Sequence, residues 1–237
     1  MTTIASNLQS VRERIAAACA AAGRDVNEVT LLPVSKTFGP DAVREAFAAG
    51  EAAFGENYIQ EAVEKQALLA DLPIAWHCIG PIQSNKTRLV AEHFAWAHTI
   101  DRLKIAQRLA EQRPAALPPL DVCLQVNIDG GPTKSGVAPG EALALAREVA
   151  ALPRLRLRGL MTIPEPGDGY AAQLAVHREA RALFDALRAA GVALDTLSMG
   201  MTADLEAAIH AGSTMVRVGT AIFGTRPPKL TSSSSSA

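Results

Sequence analysis

The sequence predicts an α/β fold, a single (β/α)8 TIM-type barrel with an extra N-terminal helix, on the strength of three observations. Eight short apolar runs alternate with segments able to form helices, the runs are continuously apolar rather than alternating, and no long linker interrupts the series. Continuous apolar runs suit parallel strands covered on both faces, and eight β/α units suit closure into a barrel. An open doubly wound sheet is the structural alternative.

The extra helix comes first. Ile4, Leu8, Val11 and Ile15 recur at helical spacing between residues 3 and 22, charges stand between them, and Gly23 falls where a left-handed C-terminal cap belongs. Four strand-like runs follow, VTLLPVSK (29–36), AAFGEN (52–57), AWHCIG (75–80) and AWAHTI (95–100). The second half supplies DVCLQVNI (121–128), LRLRGLMTI (155–163), TLSMG (196–200) and MVRVGTAIFG (215–224). Gly39-Pro40 can open a helix that carries Val43 and Phe47 and closes at Gly50, and Thr202 can cap a helix ending at Gly212. The barrel is expected over residues 1–229, with 230–237 as a disordered serine-rich tail.

Composition removes several function classes. The 237 residues hold 23 lysines and arginines against 24 acids, leaving no excess of positive charge for a nucleic acid or an anionic membrane. No run approaches the roughly 18 apolar residues of a membrane span, and no signal peptide opens the chain. Cys19, Cys78 and Cys123 are odd in number and widely spaced, and are expected as small core residues of a cytoplasmic protein. His93, His98, His177 and His210 show no metal-ligand spacing and are expected on helix surfaces or satisfied in the core, so no metal is expected.

Barrel chemistry sits at the C-terminal ends of the strands, which singles out a few polar residues. Lys36 ends the first run after VTLLPVS, either as a solvated strand-end lysine or as an amine held against apolar walls and made nucleophilic towards a carbonyl. Asn57 ends the second run, His77 and Gln83 flank the turn after the third, and Ser198 ends the seventh; each has a turn or capping role as the alternative. SMGMT (198–202) and VRVGT (216–220) put glycines and hydroxyls after strands seven and eight, where barrels hold phosphate. Strand alternation turns Arg217 into the barrel, facing either a ligand or a carboxylate such as Glu56 or Glu165.

Taken together, VSKT (34–37), FGENYIQE (54–61), WHCIGPIQSNK (76–86), GLMTI (159–163), SMGM (198–201) and RVGTAIFG (217–224) resemble the pyridoxal phosphate homeostasis protein family over about residues 4–226. That family's fold is the fold-type III barrel, like the N-terminal domain of alanine racemase. The resemblance implies pyridoxal 5′-phosphate held as a Schiff base on Lys36, a phosphate cradle of Ser198, Gly219 and Thr220, Arg217 facing the ring nitrogen, and Asn57 near the cofactor. An arginine donating to that nitrogen keeps it unprotonated and weakens the ring as an electron sink.

The resemblance further implies a cytoplasmic, monomeric carrier that stores and buffers the cofactor and delivers it to apoenzymes, with no catalytic residues. Two positions depart from the family pattern. Pro33 removes a ladder donor from strand one, and Thr202 stands where serine is more usual. Racemisation needs a base on each face of the bound substrate, and the chain offers only Tyr58 and Tyr170 as tyrosines. An amino-acid racemase and a Schiff-base aldolase on Lys36 are the competing classes.

Overall fold

A computed structural model describes residues 3–131, 135–165 and 167–225. The expected tail, and the end of the expected barrel beyond residue 225, lie outside the described residues.

The first helix, α1 (Ile4–Ala21), begins at a capping box in which Thr3 and Ser6 satisfy each other's backbone N–H groups. It ends two residues before Gly23, whose φ of 64° suits glycine. Leu8, Val11 and Ile15 form its buried stripe. Eight β/α units follow: β1 (Thr30–Pro33), α2 (Pro40–Ala48), β2 (Ala53–Glu56), α3 (Ile59–Leu68), β3 (Ala75–Cys78), α4 (Thr87–His93), β4 (Trp96–Ile100), α5 (Leu103–Gln112) and β5 (Leu120–Gln125) in the first part. The rest comprises α6 (Ala142–Ala150), β6 (Leu155–Met161), α7 (Tyr170–Ala189), β7 (Thr196–Ser198), α8 (Leu205–His210), β8 (Met215–Val218) and the short α9 (Thr220–Phe223).

All eight strands are parallel in one sheet ordered β1-β8-β7-β6-β5-β4-β3-β2. The two end strands meet through a single parallel bridge, Val34 with Gly55, which closes the barrel. Pro33 explains how little joins that seam. Thr30 and Val34 donate their N–H groups to Thr214 and Val218, whereas Ser35 donates to Gly55, so the odd-numbered residues face β2 and proline 33 has no N–H to offer there. The missing donor falls on the side where the ladder is already sparse.

Two expectations are corrected. The run 215–224 is not one strand, because the chain leaves the sheet at Gly219 and coils into α9, with Ile222 and Phe223 N–H groups returning to the Gly219 carbonyl. Thr202 does not cap α8. Asp204 is its N-cap residue, and its carboxylate reaches back to accept from the Met201 N–H at 2.6 Å. Gly39-Pro40 does open α2, and Gly50 with φ 99° closes it.

The core is a large apolar layer between strands and helices, with a smaller separate cluster of Leu32, Val34, Ile79 and Met215. Val216 and Val218 are fully buried against that shell, so Arg217 between them turns inward. Helix α1 packs over α8 and α9 and is tied there by Asn7 donating to the Ile222 carbonyl at 2.9 Å and by an Arg14–Glu206 ion pair. The three cysteines are free and buried. Among the described residues no helix is long and apolar enough to cross a membrane, and no three His, Cys, Asp or Glu side chains converge as a metal site would need.

Candidate functional site

A cavity of about 450 Å³ opens at the C-terminal ends of the strands. Lys36 and Thr37 follow β1, Asn57 and Tyr58 follow β2, Met201, Thr202 and Ala203 form the loop after β7, and Arg217, Gly219 and Thr220 come from β8 and its end. Val34, Phe38, Ile79 and Ile163 supply apolar wall. The strand-end amine and the glycine-hydroxyl segment after β8 therefore face one space.

Lys36 sits at its mouth and is exposed, so the apolar enclosure expected for its amine is not what the fold provides. The backbone beside it is held in an unusual state. Thr37 has φ 69°, a left-handed conformation that costs a β-branched residue of order 1–3 kcal/mol, and it fixes how the chain turns from Lys36 into Phe38. Phe38 then stacks on Phe223 of α9 with ring centroids 5.3 Å apart, closing the side of the cavity next to Thr220.

Behind Lys36 lies an ionic cluster that sequence inspection did not single out. Glu56 is 1% exposed and accepts from Ser35 Oγ and from Lys65 Nζ, both at 2.5 Å, while Lys65 also donates to the Ser35 carbonyl at 3.0 Å. Burial raises the Glu56 carboxyl, and the lysine charge acts against that rise. The signal was present in α3, where Ile59, Ala62 and Lys65 share the buried stripe, since a lysine on an apolar face needs a partner.

Arg217 forms the cavity floor, 3% exposed, and burial brings its guanidinium down to about 10. It meets neither Glu56 nor Glu165. Its Nη1 donates to Ser198 Oγ at 2.8 Å and its Nη2 to the Thr162 carbonyl at 2.9 Å. Both hydrogen-bond partners are neutral, and the Asp204 carboxylate acts on the cation through space.

The structure brings Lys36, Asn57, Arg217, Gly219 and Thr220 to one cavity. Ser198 is placed differently: it is fully buried, and its hydroxyl serves Arg217 and His98 from beneath rather than the cavity wall. Next to the end of β8 the wall is formed instead by the 201–203 loop, Gly219 and Thr220. A side chain at 219 would come within 3.2 Å of the Val34 carbonyl, and one at Gly200, with φ 92°, within 2.4 Å of Ala208 Cβ. His77 is not in a turn but inside β3, buried at 4% exposure, and Gln83 is an exposed turn residue whose carbonyl accepts from Lys86.

The wall tests what could occupy this space. No aspartate or glutamate is among its described lining residues, and two cations and several hydroxyls are. An anion carrying a carbonyl fits those donors: the primary amine at the rim meets the carbonyl, and hydroxyls with glycine backbone meet the anionic end.

Comparison with known proteins agrees with this geometry. Residues 6–227 match the alanine racemase N-terminal domain family, so fold and site define the chain as a barrel of that class. It is 62% identical to the pyridoxal phosphate homeostasis protein of Pseudomonas aeruginosa over 95% of this chain and 97% of the relative. It is also 55% identical to the protein of the same name from Escherichia coli, over 95% and 98%. PipY of Synechococcus elongatus, solved with PLP bound, superposes with a TM-score of 0.82 at 37% identity, covering 94% of this chain and all of the other. The chain belongs to the pyridoxal phosphate homeostasis protein family.

Proposed function

We propose that this chain binds pyridoxal 5′-phosphate covalently through the Lys36 amine and serves as a cytoplasmic, monomeric holder of that cofactor, storing it, buffering its free aldehyde and passing it to apoenzymes. The observation that carries this reading is the shared cavity: a primary amine and a guanidinium hydrogen-bonded to neutral partners, with no carboxylate among the described lining residues. Bound there, the cofactor would supply a conjugated aldehyde and an electron-accepting ring.

Each residue has a role in that reading. Lys36 would take up the aldehyde carbon, Asn57 would contact the cofactor, and Arg217 would donate to the ring nitrogen and keep it without a proton. Gly219, Thr220 and the 201–203 loop receive the phosphate, while Ser198 holds Arg217 in place. An unprotonated nitrogen withdraws fewer electrons, which suits holding over carbanion chemistry.

Tyr58 lines the same cavity and is the one feature that favours a racemase instead, since a tyrosine can act as a second base. It is 45% exposed at the rim, whereas Tyr170 hydrogen-bonds His210 away from the cavity. The deciding experiment is an absorption spectrum of the purified protein before and after borohydride. A yellow protein that borohydride fixes to the cofactor, with Lys36→Ala abolishing fixation, is the expected result. Colourless protein that takes up no added cofactor overturns it. Exchange of the α-hydrogen of alanine with deuterated water would overturn the non-catalytic reading.

A further inference from the structure

Beneath the cavity floor the hydrogen bonding does not stop at Ser198. Its Oγ lies 3.1 Å from His98 Nδ1, and His98 Nε2 lies 3.0 Å from His77 Nδ1. Arg217 lines the upper cavity, and His77 lines a second one of about 410 Å³ at the N-terminal ends of the strands, beside Trp96 and Thr214. The four side chains thus connect one end of the barrel to the other. All four are buried, at 3%, 0%, 0% and 4% exposure.

Such a chain has two possible directions, and the chemistry of its ends selects one. Arginine only donates, so Ser198 Oγ accepts from Arg217. The serine hydrogen then needs an acceptor, and among the described residues His98 Nδ1 is the one within reach; Thr162 Oγ1, the other buried hydroxyl near Arg217, has no partner at all. His98 must therefore carry its proton on Nε2, donate to His77 Nδ1, and leave His77 protonated on Nε2. The reverse order would put two donors on Ser198 Oγ and leave its own hydrogen buried with nothing to accept it.

We propose that His98 and His77 are positioning residues for Arg217, joined through Ser198 in a one-way hydrogen-bond chain that runs through the barrel core from the upper cavity to the lower one. Donation from Ser198 to His98 makes the serine oxygen a better acceptor for the guanidinium, because hydrogen bonds in series polarise one another. Burial keeps both imidazoles neutral, His77 being lowered to about 3, so the chain adds no charge beside Arg217. Stacking of His77 on Trp96, with ring centroids 5.1 Å apart and 8° between planes, fixes the far end.

The inference deepens the proposed role of Arg217 and is tested without the cofactor. Long-range proton–nitrogen correlation spectra of protein labelled at the imidazole nitrogens should show His98 and His77 both as neutral Nε2–H tautomers. An Nδ1–H form at either ring overturns the chain, whatever the protein binds. The second readout is the Arg217 guanidinium, whose two Nη groups, held by different acceptors, should give separate resonances that merge in His98→Phe. His98→Gln, which keeps an acceptor within reach of Ser198, should restore the separation. Separate resonances persisting in a folded His98→Phe protein would show that Arg217 does not depend on the chain. A colourless protein with the stated tautomers would defeat the cofactor reading alone.

Discussion

Lys65 reaches from α3 to place its Nζ 2.5 Å from Oε1 of Glu56, a buried contact that links the ends of β1 and β2 through Ser35. Residues 36 and 57 follow these tied positions directly, so the pair fixes the stems of two cavity residues. Removing one partner leaves a charge with neither water nor a counter-ion. Lys65→Met is expected to destabilise the fold by about 3–5 kcal/mol, and Lys65→Met with Glu56→Gln to recover much of that loss. Urea unfolding of the two variants checks this, and equal losses would show that the ion pair is not the cause.

Thr37 is held at φ 69°, where glycine pays no steric cost. Thr37→Gly should raise stability by about 1 kcal/mol while loosening the turn that aims Lys36. The expected combination is a higher denaturation midpoint with slower borohydride trapping of added pyridoxal phosphate. A stability gain without slower trapping would mean that Thr37 does not orient the amine.

Gly80 follows β3 with its Cα so close to the second strand's end that an added Cβ would stand 2.1 Å from the Asn57 carbonyl oxygen. Backbone cannot yield as a side-chain tip can. Gly80→Ala should therefore cost about 3 kcal/mol or more and displace Asn57, lowering cofactor retention in whatever fraction folds. Wild-type stability in this variant would show that β3 and the 57 carbonyl are further apart than described.

Acid should expose the buried histidines. His77 is lowered from 6.5 to about 3 by burial, so between these values the unfolded chain binds a proton that the folded chain refuses. Stability therefore falls as pH falls through that window, at up to roughly 1.4 kcal/mol per pH unit for one imidazole, and levels off below it. His98, also lowered by burial, adds to the slope. His77→Phe should flatten the acid limb of a stability–pH curve, and an unchanged limb would place His77 in contact with water.

Much of this molecule was legible in the sequence, for identifiable reasons. Unbroken apolar runs such as DVCLQVNI are what a strand covered on both faces requires, and β5 is buried along its whole length. Gly39-Pro40 and Gly50 bound α2 because the φ constraints of those residues are local. Lys36, Arg217 and Gly219 converged because strand order alone sends the chain's C-terminal strand ends to one mouth. What escaped notice depends on contacts distant in sequence. The partners of Glu56 stand 21 and 9 residues away, and His98 and Ser198 are 100 residues apart. Ser198, given a cradle role by the family resemblance, is the last residue of β7, and alternation there turns its hydroxyl down onto Arg217.

The proline in β1 has a mechanical meaning for the whole wall. The other seven joints between neighbouring strands carry registers of one to six residue pairs, and the eighth has the Val34–Gly55 bridge together with the Ser35–Glu56 hydrogen bond. That short joint runs directly under the amine at 36 and the carboxamide at 57. Exchange of the Ser35 amide with deuterium should outpace that of other strand amides, and each transient parting would carry those two groups away from each other while leaving the β8 side undisturbed. A barrel proposed to hold its cofactor and also to let it go thus has one of its sparse joints beside the amine proposed to take the cofactor up.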